Sequence, residues 1–259
     1  MSGPGTPPVL MVLDSATQAA EAAGRRIALA LADNPAAVLG LATGGTMRPV
    51  YAWLVEACSQ GKLSFRQATT FNLDEYAGLG PDHPASFAWF MREHLFSRVE
   101  HDPRRTCLPD GLASDLPAEA ARYEAAIHAA GGIGLQLLGI GRNGHIGFNE
   151  PGAALTSATR VVTLTASTRD ANQPSFPPGE TVPDRALTMG ISTILRSRQV
   201  VLLATGPAKA GAIAAAFTGP IGPHCPASAL RTHADVTLVC DHAAAAGLGP
   251  AAFRRSIHP

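Results

Sequence analysis

A strand, a glycine turn and a helix follow one another in AAVLGLATGGTMRPVYAWLVEAC, which runs from Ala36 to Cys58. The apolar run Ala36–Ala42 predicts a buried strand, and Met47–Cys58 predicts a helix. The turn between them, Thr43–Thr46, contains two adjacent glycines, which allow the backbone to turn tightly. A strand joined to a helix by a short turn is the building unit of an α/β fold.

The same alternation of short apolar runs and helical stretches continues along the chain. Further strands are predicted at Val9–Leu13, Ala68–Leu73, Leu135–Ile140, Arg198–Leu203 and Val236–Cys240. Further helices are predicted at Thr17–Leu31, Ser86–Phe96, Ala118–His128 and Lys209–Phe217. This order predicts a single α/β domain over residues 1–259, with a mostly parallel sheet, helices on both faces and a flexible leader at residues 1–8. The Pro-rich stretch Gln173–Pro183 predicts a loop that acts as a mobile lid.

Composition excludes several classes of partner. The 259 residues carry 20 Lys+Arg against 20 Asp+Glu, so no net charge attracts nucleic acid or an anionic membrane. The four cysteines are scattered without a CxxC pair, as is typical of a reducing compartment. No signal peptide and no apolar run of about 18 residues is present, so a cytoplasmic location is expected.

The Thr43–Thr46 turn is a candidate anion site. Thr43, Gly44, Gly45 and Thr46 would direct amide and hydroxyl donors outward at a helix N-terminus, although an ordinary connecting turn would have the same sequence. Lys209 also follows a predicted strand and would reach a substrate phosphate at the same edge, unless it is an exposed helix lysine.

Two further motifs carry titratable groups. Asp74 follows a strand in FNLDEY and would serve as a general base, although a helix cap has the same appearance. His145 and Glu150 lie in GIGRNGHIGFNEPG and form a candidate acid/base pair. The start of that motif matches GxGxxG, but HIGFNEPG does not continue as a helix, so a dinucleotide site is rejected. The histidine spacing does not indicate a metal site.

Taken together, these motifs resemble the glucosamine-6-phosphate deaminase family. The resemblance covers about Ala37–Asp241 and rests on LGLATGGT, FNLDEYAGL, HPASF, LLGIGRNGHIGFNEPG, RALTMGISTIL and HADVTLVCD in this order. It implies a modified Rossmann-like fold that uses neither a metal nor an organic cofactor. It also implies conversion of glucosamine-6-phosphate and water to fructose-6-phosphate and ammonia.

The resemblance implies a role for each matching residue. The Thr43–Thr46 turn and Lys209 would hold the sugar phosphate. His145 would open the pyranose ring with the help of Glu150, and Asp74 would move a proton between C2 and C1. Such chemistry suits an imidazole and a carboxylate, and it involves no redox change.

The chain departs from the family pattern at two positions. Many members have Asp where this chain has Asn143, which can orient His145 by hydrogen bonding but cannot supply a charge. The second departure is Pro174, which stands where the family has an arginine that clamps the phosphate. Three consequences stay open: weaker phosphate binding, substitution by another cation, or a natural substrate that lacks the 6-phosphate.

Two other functions are compatible with this fold class. A sugar-phosphate lactonase related to the 6-phosphogluconolactonases is disfavoured by FNEPG and FNLDEYAGL. A sugar-phosphate sensor would carry a DNA-binding helix-turn-helix, for which the predicted first strand near Val9 leaves no room. The expected partner is a small amino sugar phosphate, without nucleic acid or membrane, and a homo-oligomer is compatible with the sequence.

Overall fold

The computed structural model describes residues 7–249 and 253–255. Residues 1–6 of the predicted leader lie outside the described residues, and Pro8 is already buried. Every strand and helix predicted above is present, with boundaries that differ by a few residues at most. The predicted fold class, an α/β protein with a mostly parallel sheet, is confirmed.

The described strands form two sheets. They are β1 (Val9–Leu13), β2 (Val38–Leu41), β3 (Thr69–Asn72), β4 (Asp74–Tyr76), β5 (Thr106–Cys107), β6 (Leu135–Gly139), β7 (Arg160–Thr163), β8 (Arg185–Thr188), β9 (Gln199–Ala204), β10 (Val236–Asp241) and β11 (Arg254–Arg255). Eight of them form a parallel sheet in the order β11-β1-β10-β9-β6-β2-β3-β5.

Eight α-helices connect these strands in the described chain. They are α1 (Ala16–Asp33), α2 (Arg48–Ser59), α3 (Phe87–His94), α4 (Leu116–Ala129), α5 (Ala166–Asn172), α6 (Ile191–Leu195), α7 (Ala210–Thr218) and α8 (His242–Ala245). Consecutive residues of β6, β9 and β10 are buried, as expected when helices cover both faces of a parallel sheet. Five of the described helices begin with a side-chain cap of the expected Ser, Thr or Asp type, for example Ser15 on α1.

A second, smaller sheet was not predicted from the sequence. Its order is β4-β8-β7, and both pairings are antiparallel, with Asp74 opposite Thr188. Asp74 therefore begins a new strand, whereas the sequence suggested that it merely ends the preceding one. A cluster of buried side chains that includes Tyr76, Phe148 and Phe176 packs beneath this sheet.

The stretch Gln173–Pro183 is a loop that opens with a short 3-10 turn at Gln173–Ser175. Phe176 packs edge-on against Tyr76, and His83 Nε2 lies 2.6 Å from Glu180 Oε2. The loop is thus attached to the small sheet and to the segment that precedes α3. Its role as a lid stays a prediction.

Candidate active site

The sheet order brings the predicted motifs to one edge. β6 lies between β2 and β9, and β3 lies on the other side of β2. All four strands are parallel, so the segments that follow them meet at the carboxyl edge of the sheet. These segments carry the Thr43–Thr46 turn, Asp74, the His145 loop and Lys209.

The turn after β2 is open to solvent at its glycines. Gly44 adopts φ 105°, in the left-handed region that favours glycine, and a side chain at either Gly44 or Gly45 would meet no atom within 4 Å. Thr43 and Thr46 flank them, half-buried. A 3-10 turn at Gly45–Met47 then leads directly into α2. The start of this helix is therefore open to solvent, and the amides of a helix N-terminus favour an anion there.

Lys209 follows β9, on the other side of β6 from this turn. It ends a 3-10 turn, Pro207–Lys209, and immediately precedes α7, which begins one residue after the predicted helix start at Lys209. Its Nζ donates a 2.6 Å hydrogen bond to the carbonyl oxygen of Ile140, just beyond β6. Burial lowers the pKa of Lys209, and the nearby positive charge of Arg142 lowers it further.

The turn that carries Lys209 is held by a residue that the sequence analysis did not select. Both carboxylate oxygens of Asp241 accept a hydrogen bond from the Gly206 N–H, at 3.0 and 2.9 Å. Asp241 ends β10, the strand beside β9. The strand-end rule that selected Asp74 would also have selected Asp241.

The loop after β6 brings His145, Glu150 and Asn143 together. His145 Nδ1 lies 3.3 Å from Glu150 Oε1, which is an ion-pair distance without the alignment of a hydrogen bond. Asn143 Oδ1 accepts from the His145 backbone N–H at 3.2 Å, while Asn143 Nδ2 donates to Glu150 Oε2 at 2.6 Å. The amide thus bridges the two residues. The imidazole lies over Gly141, where any Cβ would collide with the ring.

Glu150 is held in its ionised form. Burial acts to raise its pKa, but the close contact with His145 and the hydrogen bonds from Thr168 and Asn143 outweigh that effect and lower the pKa of Glu150 to about 2. Thr168 Oγ1 donates to Glu150 Oε1 at 2.7 Å from α5. Sequence analysis missed Thr168, because no local pattern connects it to a residue so far away in the chain.

Asp74 faces the same loop from the small sheet. Its Oδ2 lies 3.3 Å from the point that a Cβ on Gly147 would occupy, and Gly147 has φ 56°. Only a residue without a side chain lets the loop approach so closely. Asp74 and His145 therefore border one loop at one edge of the protein.

The carboxyl group of Asp74 is buried, and its surroundings suit it to proton exchange. Burial, together with the negative charge of Glu75, raises the pKa of Asp74 to about 8. No residue within 7–249 or 253–255 donates a hydrogen bond to this carboxylate. A carboxyl group whose pKa lies near neutrality suits the exchange of protons with a substrate.

The adjacent acid, Glu75, has a different task. Its carboxylate accepts three backbone N–H bonds, from Tyr76 at 2.9 Å, Phe87 at 3.0 Å and Ala88 at 2.9 Å. Two of these donors belong to the first turn of α3. Glu75 is therefore a structural cap, which separates the roles of the two neighbouring acids.

Two kinds of feature are absent from the described residues. No group of three His, Cys, Asp or Glu side chains there is arranged to hold a metal ion. Within the same part of the chain, no helix combines the length and apolar character needed to cross a membrane.

Comparison with known proteins identifies close relatives of similar length. A protein of Rhodopirellula baltica named glucosamine-6-phosphate deaminase is 57% identical over 212 residues, which cover 82% of this chain and 84% of the relative. A protein of Bacillus subtilis named glucosamine-6-phosphate deaminase 1 is 48% identical over 223 residues, which cover 86% and 92%.

Solved structures of known proteins also resemble this chain. A structure described as a monomeric glucosamine-6-phosphate deaminase superposes with a TM-score of 0.89 at 46% identity, covering 92% of this chain and 99% of that chain. A 6-phosphogluconolactonase from Trypanosoma cruzi reaches a TM-score of 0.76 at 21% identity, covering 94% and 98%, which shows a shared fold alone. The model of the family described as glucosamine-6-phosphate isomerases/6-phosphogluconolactonase matches residues 13–239. The chain therefore belongs to the glucosamine-6-phosphate isomerase and 6-phosphogluconolactonase family.

Proposed function

We propose that this protein converts glucosamine-6-phosphate and water to fructose-6-phosphate and ammonia. The observation that carries the proposal is the close approach of Asp74 to Gly147, in the loop that also contains the His145–Glu150 pair, at the sheet edge where the open glycine turn and Lys209 follow their strands. The names of the relatives that share about half of their sequence with this chain agree with it. Amino sugar breakdown in the cytoplasm is the setting that such a reaction fits.

The phosphate is held at the edge between β2 and β9. Amides at the start of α2, the hydroxyls of Thr43 and Thr46, and the ammonium of Lys209 are donors that suit a phosphate group. Binding there leaves the sugar ring to extend toward His145 and Asp74. Remote binding of this kind fixes the reacting carbons relative to the catalytic groups.

His145 opens the ring. Because Glu150 is ionised and faces Nδ1, the imidazole keeps its proton on Nδ1 and presents the Nε2 lone pair to the substrate. Nε2 accepts the proton of the C1 hydroxyl and returns a proton to the ring oxygen as the C1–O5 bond breaks. The product is the open-chain aldehyde.

Asp74 then moves the double bond. In its ionised form it removes the proton from C2 while O1 takes up a proton from solvent, which gives an enolamine, and it returns the proton to C1 as the nitrogen releases one to solvent. The resulting imine at C2 adds water to form an aminoalcohol, which collapses to the ketone with loss of ammonia. Water is consumed and ammonia released in equal amounts, and no electrons are exchanged with a cofactor.

The proposal is tested by assaying ammonia and fructose-6-phosphate together. Glucosamine-6-phosphate, glucosamine and 6-phosphogluconolactone are supplied separately to the purified protein. We expect equimolar ammonia and fructose-6-phosphate from the first substrate, with much lower turnover of glucosamine. Hydrolysis of the lactone without ammonia release from the amino sugar would contradict the proposal, and equal turnover of glucosamine would remove the need for the phosphate.

A further inference from the structure

The chain lacks a cation where the family pattern provides one. Pro174 is exposed in the 3-10 turn at Gln173–Ser175, and it has neither a charged side chain nor an amide N–H. Lys209 is then the one predicted cation at the phosphate site, and its ammonium already donates to Ile140. A phosphate that carries close to two negative charges calls for a second positive group.

Two other arginines, on α2 and α5, have surroundings that differ from those of an arginine open to solvent. The guanidinium of Arg48, at the start of α2, lies over the ring of Phe90, 5.9 Å from its centroid. Arg169 in α5 has a buried Nε, so its guanidinium is not wholly open to solvent.

Arg142 is placed differently. It is exposed in the loop after β6, two residues beyond the Ile140 carbonyl that accepts the bond from Lys209 Nζ. Its guanidinium makes no hydrogen bond or ion pair with any residue in the described part of the chain. Its charge acts on Lys209, whose pKa it helps to lower. Two cations that repel each other without an anion between them are typical of a site that binds one.

The strand order supplies the rest of the geometry. β6, which leads to Arg142, lies between β2, which leads to the open glycine turn, and β9, which leads to Lys209. We infer that Arg142 is a specificity-determining residue that binds the substrate phosphate together with Lys209, in place of the arginine that Pro174 replaces. This inference rests on the proposed function, since it concerns the phosphate of the same substrate.

The inference is tested by calorimetric titration of the full-length protein with fructose-6-phosphate. Arg142→Gln removes the charge, and Arg142→Lys retains it without the bidentate fork. Arg198→Gln is the matched control, because this exposed arginine precedes β9 at the opposite edge of the sheet. We expect Arg142→Gln to weaken binding by about tenfold to a hundredfold, which is the loss typical of a charged hydrogen bond. Arg142→Lys should recover part of this loss, and Arg198→Gln should stay within about twofold of the wild type.

Steady-state kinetics with glucosamine-6-phosphate separate binding from disturbance of the neighbouring Asn143 and His145. A rise in KM that matches the change in Kd and exceeds any change in kcat supports the inference. A Kd within twofold of the wild type for Arg142→Gln would overturn it, and so would a fall in kcat as large as the rise in KM.

The two proposals can fail separately. Wild-type protein that binds fructose-6-phosphate but releases no ammonia would disprove the proposed function, while the Kd ratio of Arg142→Gln would still decide the role of Arg142. Wild-type protein that fails to bind fructose-6-phosphate would overturn both.

Discussion

At the scale of single residues, the site depends on two carboxylates kept in opposite protonation states. Hydrogen bonds from Asn143 and Thr168, together with the adjacent His145, keep Glu150 ionised, whereas Asp74 is buried without such donors and tends to hold a proton. Opposite environments of this kind are how one protein obtains a fixed charge and a proton carrier from the same functional group.

Replacing Glu150 by Gln tests the fixed charge. The amide retains the shape of the side chain but no longer stabilises a proton on His145 Nδ1, so we expect kcat to fall about tenfold to a hundredfold. Initial rates of ammonia release measure the effect. Glu100→Gln, which removes an exposed acid from a surface ion pair with Arg66, should remain within about twofold of the wild type. An unchanged kcat in Glu150→Gln would exclude Glu150 from the mechanism.

The burial of Asp74 should also affect how the stability of the protein depends on pH. Its carboxyl group has a pKa of about 8 in the fold against an ordinary value of 3.8, so between these values the folded state binds a proton that the unfolded state does not. The stability that this proton provides is complete below pH 3.8 and is lost as the pH rises through 8. The amide of Asp74→Asn cannot ionise, so the variant does not lose stability in this way as the pH rises.

We therefore expect Asp74→Asn to be more stable than the wild type by at least about 1 kcal/mol at pH 8.5, with a smaller difference at pH 5. Urea unfolding at both pH values measures the free energies of unfolding. The control Asp82→Asn alters an exposed acid. Its free energy of unfolding should differ from that of the wild type by the same small amount at both pH values. A difference that does not grow with pH would show that Asp74 is not held protonated by burial.

At the scale of elements, each functional group is supplied by the end of a strand. Such ends could be located in the sequence because apolar runs and glycine turns are local patterns. Thus the Thr43–Thr46 turn and the His145–Glu150 pair were predicted within their own segments. The hydrogen bond from Thr168 and the pairing of Asp74 with Thr188 join segments that are distant in the sequence. The strands β4, β7 and β8 are also too short to show a periodic pattern of apolar residues. Those parts of the site could be identified only from the structure.

Asp241 provides a test at this scale. Its carboxylate accepts from the Gly206 N–H and also caps α8 by accepting from the Ala244 N–H at 2.8 Å. Asp241→Asn retains one acceptor oxygen but weakens the hydrogen bonding to Gly206 in the turn that carries Lys209. We expect KM for glucosamine-6-phosphate to rise about threefold to tenfold, with little change in kcat and a loss of about 1 kcal/mol in stability.

Steady-state kinetics and urea unfolding measure these two effects. Asp235→Asn is a suitable control, because Asp235 precedes β10 at the other end of the strand and accepts from Gln199 instead. If KM in Asp241→Asn equals that of the control, Asp241 does not position Lys209 for substrate binding.

At the scale of the whole molecule, the parallel sheet gathers groups that are far apart in the sequence. The proposed phosphate donors lie beyond β2 and β9, the imidazole beyond β6, and the carboxylate of Asp74 beyond β3. The strand order was not predicted, and it is what turns separate motifs into one site. The small antiparallel sheet contains Asp74 and, through the packing of Tyr76 with Phe176, contacts the loop that contains Pro174.

The most direct test of the proton transfer assigned to Asp74 is the rate of ammonia release from glucosamine-6-phosphate by Asp74→Asn. The account predicts a kcat lowered by about a hundredfold to ten-thousandfold in a protein that still binds fructose-6-phosphate as the wild type does. A variant that retains more than about a tenth of the wild-type kcat would contradict the account, because another group would then have to move the proton between C2 and C1.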